Sequence, residues 1–73
     1  MRELQLRELG SEQINGLMYT IVAVRVYDDG NLERVRIRKI PYDVDELTWI
    51  ETAMQLYKCD RWSYQTLLRH PWD

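Results

Sequence analysis

Arg34, Arg36 and Arg38 recur at every second position, and between residues 32 and 42 only Glu33 opposes them and Lys39. In an extended chain this spacing puts three guanidinium groups on one face, about 6.8 Å apart. Each is a planar fork of donors suited to carboxylates and phosphates. Arg25, Tyr19 and Tyr27 join the same face if residues 18–28 pair with 31–40 about the intervening turn. Arginines interleaved with tyrosines can hold a phosphate backbone and stack bases. The same set can grip an acidic protein surface, because arginine and tyrosine are strong interface residues.

Catalytic chemistry finds less support. His70 is the only histidine and stands next to Pro71. Cys59 is the only cysteine and follows a predicted helix end, where the dipole disfavours a thiolate. Ser11 and Ser63 are the only serines, and Ser63 suits a helix cap. The acidic pairs Asp28/Asp29 and Asp43/Asp45 fall at a turn and at a helix start, where carboxylates have structural work. One cysteine and one histidine make neither a disulfide nor a zinc site, and no phosphate-cradling loop occurs. The sequence therefore predicts a non-enzymatic chain with no cofactor, no metal and no catalytic residue.

These groups need a scaffold, and the clearest part of it is a β-hairpin. Residues 18–28 are rich in β-branched and aromatic types. Asp28-Asp29-Gly30-Asn31 follows, and an Asp-Gly pair is a strong hairpin signal because both central residues need positive φ. The return strand is 31–40, ended by Pro41. With Asp29 and Gly30 central, Val24 opposes Val35, Val22 opposes Ile37 and Val26 opposes Glu33, which makes that face the core side. Arg25 then opposes Arg34, a like-charge pairing that destabilises unless acid or water is near.

Leu4 and Leu6 alternate with polar residues, which predicts a further strand over 2–8, with residues 10–16 as a turn-rich connection. After Pro41, Asp43 reads as an N-cap with Glu46 three residues on. The apolar stripe Leu47, Ile50, Met54 and Tyr57, widened by Trp49, Ala53 and Leu56, predicts a helix over 44–58. Asp60 or Ser63 then caps a second helix over 62–69. The expected fold is a single α+β domain over 1–73: an antiparallel β-hairpin or three-stranded meander, followed by two C-terminal helices packed on one face. A chain of 73 residues without staples holds only about 3–5 kcal/mol of stability.

The net charge is −2, but it is unevenly spread. The basic return strand precedes an acidic stretch in which Asp43, Asp45, Glu46, Glu51 and Asp60 outnumber Lys58. Asp45, Glu46 and Glu51 form an alternative, acidic face that suits a basic surface such as a nucleic-acid channel. Trp49, Trp62 and Trp72 exceed what so small a core holds easily, which makes them candidate interface aromatics.

The first expectation is a small non-enzymatic protein-binding domain, with another protein as partner. In size, charge and style the chain resembles the small phage and mobile-element inhibitors of host machinery, anti-CRISPR proteins among them. That likeness implies a protein that blocks a host protein or a nucleic-acid-binding surface. The alternative is a nucleic-acid-binding module or regulator using the Arg/Tyr face, although the acidic pI of about 5.3 weighs against it. A homodimer through an exposed hairpin edge is compatible with both. The lone thiol and the charged first eight residues predict a cytoplasmic protein with no membrane partner.

Overall fold

The computed structural model describes residues 1–65. Its elements are β1 (Arg2–Ile14), β2 (Leu17–Asp28), β3 (Asn31–Pro41), α1 (Glu46–Tyr57) and β4 (Arg61–Gln65). They make one sheet in the order β3-β2-β1-β4, covered on one face by α1. β1 and β3 each run antiparallel to β2, while β4 runs parallel to β1.

Both antiparallel turns are two-residue turns with positive φ at each central residue: Asn15 at 50° and Gly16 at 83°, then Asp29 at 47° and Gly30 at 96°. Glycine takes this conformation freely and Asn or Asp tolerates it, so the two turns follow from residue type. The Asn15-Gly16 turn lets the predicted 2–8 strand run on to Ile14, through residues expected to form a loop. An extra residue, Leu9, accommodates this between the Glu8–Val22 and Gly10–Ile21 pairs.

The expected pair of C-terminal helices is not formed. A mixed four-stranded sheet with one helix replaces the hairpin or meander with two. The strand β4, Arg61–Gln65, takes the place of the first four residues of the helix expected over 62–69. The reason lies in β1. With β2 on one side, the other edge of β1 carries unpaired backbone donors and acceptors, and β4 satisfies them over Glu3–Arg7. Trp62 opposes Leu4 and Tyr64 opposes Leu6, a period-two placement that suits aromatic side chains. α1 carries the chain across the sheet to this far edge, so the new strand is parallel and the sheet is not purely antiparallel. Residues 66–69 of the expected helix and Trp72 lie outside the described residues.

α1 also starts later than expected. A turn closed by the Val44 amide on the Pro41 carbonyl occupies 41–44. Asp45, rather than Asp43, is the N-cap: its carboxylate accepts from the Thr48 amide at 3.2 Å and the Thr48 hydroxyl at 3.1 Å. At the other end Lys58 adopts the left-handed conformation, with its amide on Gln55 O and the Cys59 amide on Met54 O. This paired closure ends the helix without a glycine.

The core joins Leu4 and Leu6 of β1, Val22, Val24 and Val26 of β2, Ile40 of β3, and Ile50 and Ala53 of α1. The expected core face of β2 is therefore the observed one, but that of β3 is not. Glu33 is an extra residue between the Tyr27–Leu32 and Val26–Arg34 pairs. Beyond it Val24 opposes Arg36, Val22 opposes Arg38 and Arg25 opposes Val35. A shift of one residue moves every side chain of a strand to the other face. Arg34, Arg36 and Arg38 thus share the helix-covered side with the core valines, and Val35 and Ile37 are turned onto the bare face, 64% and 55% exposed.

Tyr64 closes one margin of this core. Its hydroxyl is buried with no hydrogen-bond partner among the described residues. Burial, with Glu46 and Glu8 adding, pushes its phenol up to about 12. The unfolded phenol ionises near ~10, so folding favours the neutral form. This contribution is fully present below about pH 10 and is lost as pH rises towards about 12, because the unfolded chain releases its proton first. Urea denaturation of the parent chain should therefore show a stability decline across that window that Tyr64→Phe diminishes. At pH 7 the substitution should cost nothing measurable, since it removes an unpartnered hydroxyl.

Candidate functional site

A single helix about 10 Å wide cannot cover four strands set about 4.8 Å apart. α1 approaches β1 and β4 most closely, while Ile50 and Ala53 still join the core valines of β2 and Ile40 of β3. Val22, Val24 and Val26 are at most 2% exposed. Arg38, Arg36 and Arg34 stand directly opposite them on β3, on the same face of the sheet.

Between these arginines and the end of α1 runs a groove of about 320 Å³, lined by Arg2, Glu33, Arg34, Arg36, Arg38, Leu56, Tyr57 and Lys58. Its two sides are tied at defined points. Arg38 Nη2 donates to the Tyr57 hydroxyl at 3.2 Å. Arg2 donates to the Tyr57 carbonyl at 2.7 Å and the Lys58 carbonyl at 3.2 Å, and to the carboxylates of Glu33 at 2.6 Å and Asp28 at 3.3 Å. These partners, the Glu33 hydrogen bond first, hold the Arg2 guanidinium above its ordinary pKa although partial desolvation opposes them. Arg34 and Arg36 are exposed and make no hydrogen bond or ion pair among the described residues. Two arginines in this groove are thus committed to structure by direct bonds, and two offer their donors to a partner.

The set Arg25, Arg34, Arg36, Arg38, Tyr19 and Tyr27, expected on one face, is split by the register. Arg25 lies on the bare face, where its Nε donates to Gln5 Oε1 at 2.6 Å. Desolvation there lowers its pKa, with Glu3 acting in the opposite sense. Tyr19 and Tyr27 share that bare face, opposite Glu12 and Glu3 of β1. The phosphate-and-stacking platform imagined for these residues is therefore not assembled. Instead the bare face mixes apolar Leu32, Val35 and Ile37 with polar neighbours, including a Lys39–Glu12 ion pair at 3.1 Å.

The alternative acidic residues sit around the start of α1. Asp45 is occupied as the N-cap, and Asp45 and Glu46 border an open hollow of about 670 Å³ with Tyr42 and Asp43. Glu51 is exposed farther along the helix. Of the aromatics, Trp49 packs half-buried against the core, and Trp62 is 41% exposed on β4. Burial pushes the Cys59 thiol pKa up, the direction opposite to that of a reactive thiolate. No group of three or more His, Cys, Asp or Glu side chains among the described residues is placed to hold a metal. No helix among them is long and apolar enough to cross a membrane.

Arg2, Tyr57 and Lys58 were not among the candidate site residues read from the sequence, where Tyr57 counted only as part of the apolar stripe of the helix. Only the fold brings Arg2 to the far end of α1, 55 positions away along the chain. The exposure of Val35 and Ile37 was also missed, though a signal existed. The simple register demanded Arg25 against Arg34, and the extra residue at Glu33 removes that like-charge pair by setting Val35 opposite Arg25.

No family model matches the sequence, and no curated protein or solved structure is significantly similar to it.

Proposed function

We propose that the chain is a non-catalytic protein-binding module whose binding surface is the arginine side of β3, and that its partner presents an acidic segment there. The observation that carries this reading is the alternation of Arg34, Arg36 and Arg38 along one side of an edge strand, beside a groove, with Arg34 and Arg36 exposed and unpaired among the described residues. Forked donors at fixed spacing on a strand favour carboxylates held in a regular row. The separation of Tyr19, Tyr27 and Arg25 from this row breaks up the set of tyrosines and arginines that a phosphate-and-stacking platform on the hairpin would use. Within this reading, inhibition of a host protein would consist of occupying such a segment. A module that occupies one acidic segment withholds it from competing partners.

The test is retention on immobilised polyglutamate at low salt, with mixed single-stranded oligonucleotides in parallel. The parent chain should bind polyglutamate, and Arg34→Glu with Arg36→Glu should weaken binding by about tenfold or more. Glu46→Lys with Glu51→Lys should not weaken it. Retention of oligonucleotides alone, or loss of binding through the helix pair and not the arginine pair, would overturn the reading.

A further inference from the structure

We infer that β3 takes its partner by strand addition, and that the added segment alternates acidic with apolar side chains; this deepens the proposed function and rests on it. In the order β3-β2-β1-β4, β3 has a neighbour on one side only among the described residues. Every second N–H and C=O along it therefore points away from the sheet, as a template for another strand. The irregularity at Glu33 is confined to the turn end, and pairing with β2 is regular from Arg34 to Pro41. No proline interrupts that stretch before its last residue.

An added strand shares both faces of its neighbour. On the groove side its side chains lie beside Arg34, Arg36 and Arg38, which favour carboxylates at every second position. On the bare side they lie beside Val35 and Ile37, 64% and 55% exposed, which favour apolar groups at the positions between. Charge complementarity and the apolar pair thus specify one period-two pattern. A second copy of this chain does not satisfy it. In the pairing that keeps both helices on one side of a joined sheet, Arg36 of one copy opposes Arg36 of the other, or Arg34 opposes Arg38. Like charges directly opposite destabilise a strand pair. A nucleic acid supplies charge but no backbone complementary to the strand edge.

The experiment uses the whole chain and a synthetic peptide of about nine residues with Glu and Val alternating. It is compared with a scrambled peptide of the same composition and with two versions N-methylated at either alternate set of residues. The alternating peptide should bind about tenfold more tightly than the scramble. N-methylation of one set should abolish binding while methylation of the other is tolerated, because only one set bonds to β3. Amide exchange in β3 should slow on binding. Equal binding of all four peptides would overturn strand addition while leaving the arginine surface intact as an acid-binding site. Failure of every acidic peptide, or binding of oligonucleotides instead, would overturn this inference and the proposed function together.

Discussion

Leu6→Ala should leave the chain largely unfolded at room temperature, whereas Ile37→Ala should leave it folded. Leu6 is fully buried in β1, between Val24 of β2 and Tyr64 of β4. A leucine-to-alanine change at such a site costs about 2–5 kcal/mol in lost transfer energy and residual cavity. The whole domain holds only about 3–5 kcal/mol, so this one change consumes most or all of it. Ile37 is an equally apolar strand residue, but it is 55% exposed on the face that no helix covers. Its replacement touches local strand preference and pair contacts, worth about 1 kcal/mol or less. Urea melts followed by far-ultraviolet circular dichroism measure both. The contrast also tests the register. Had β3 paired without an extra residue at Glu33, Ile37 would face Val22 in the core, and the two alanine variants would be comparably destabilised.

Arg2→Met should lower the Tm by roughly 5–10 °C, more than any other exposed charge removal in the chain. The side chain is 30% exposed, yet it spans three structural units. It reaches from β1 to the last carbonyls of α1 and to carboxylates at both ends of the β2–β3 turn. α1 has no basic residue in its own last turn, so Arg2 supplies the positive group that those carbonyls favour. Arg2→Lys should recover only part of the loss, because an ammonium cannot reproduce a planar fork that donates in several directions. Glu33→Gln should cost less than Arg2→Met, since it spares the helix carbonyls. If Glu33→Gln matched it, the ion pair alone would account for the effect and the helix clamp would be refuted. Because this clamp fixes the end of α1 beside β3, Arg2→Met should also weaken polyglutamate retention by letting the groove walls separate.

Much of the local structure was legible in the residues. Asp29-Gly30 marked a hairpin because its backbone requires residues that tolerate positive φ. Asn15-Gly16 carried the same signal, and reading it as part of a longer connection hid half of β1. Leu4 and Leu6 announced a buried strand face, and Ile50 and Ala53 lay on the helical stripe that was observed to be buried. The stretch Arg61–Gln65 went wrong for an identifiable reason. Five residues with two aromatics are compatible with either a helix start or a strand. What decided the matter was the open edge of β1, whose backbone groups Arg61–Gln65 could pair.

The arginine row divides in the same way. Its spacing, its charge and its presence on an extended segment are properties of the sequence alone, as are the turns and the apolar alternation of β1 and β2. Which side of the sheet the row occupies was decided by tertiary structure. Strand faces alternate with a period of two, so one extra residue at Glu33, held by Arg2 across the helix end, reverses every assignment beyond it. That single reversal sets Arg34, Arg36 and Arg38 beside the end of α1 and bares Val35 and Ile37, because a strand's side chains alternate between the two faces of the sheet.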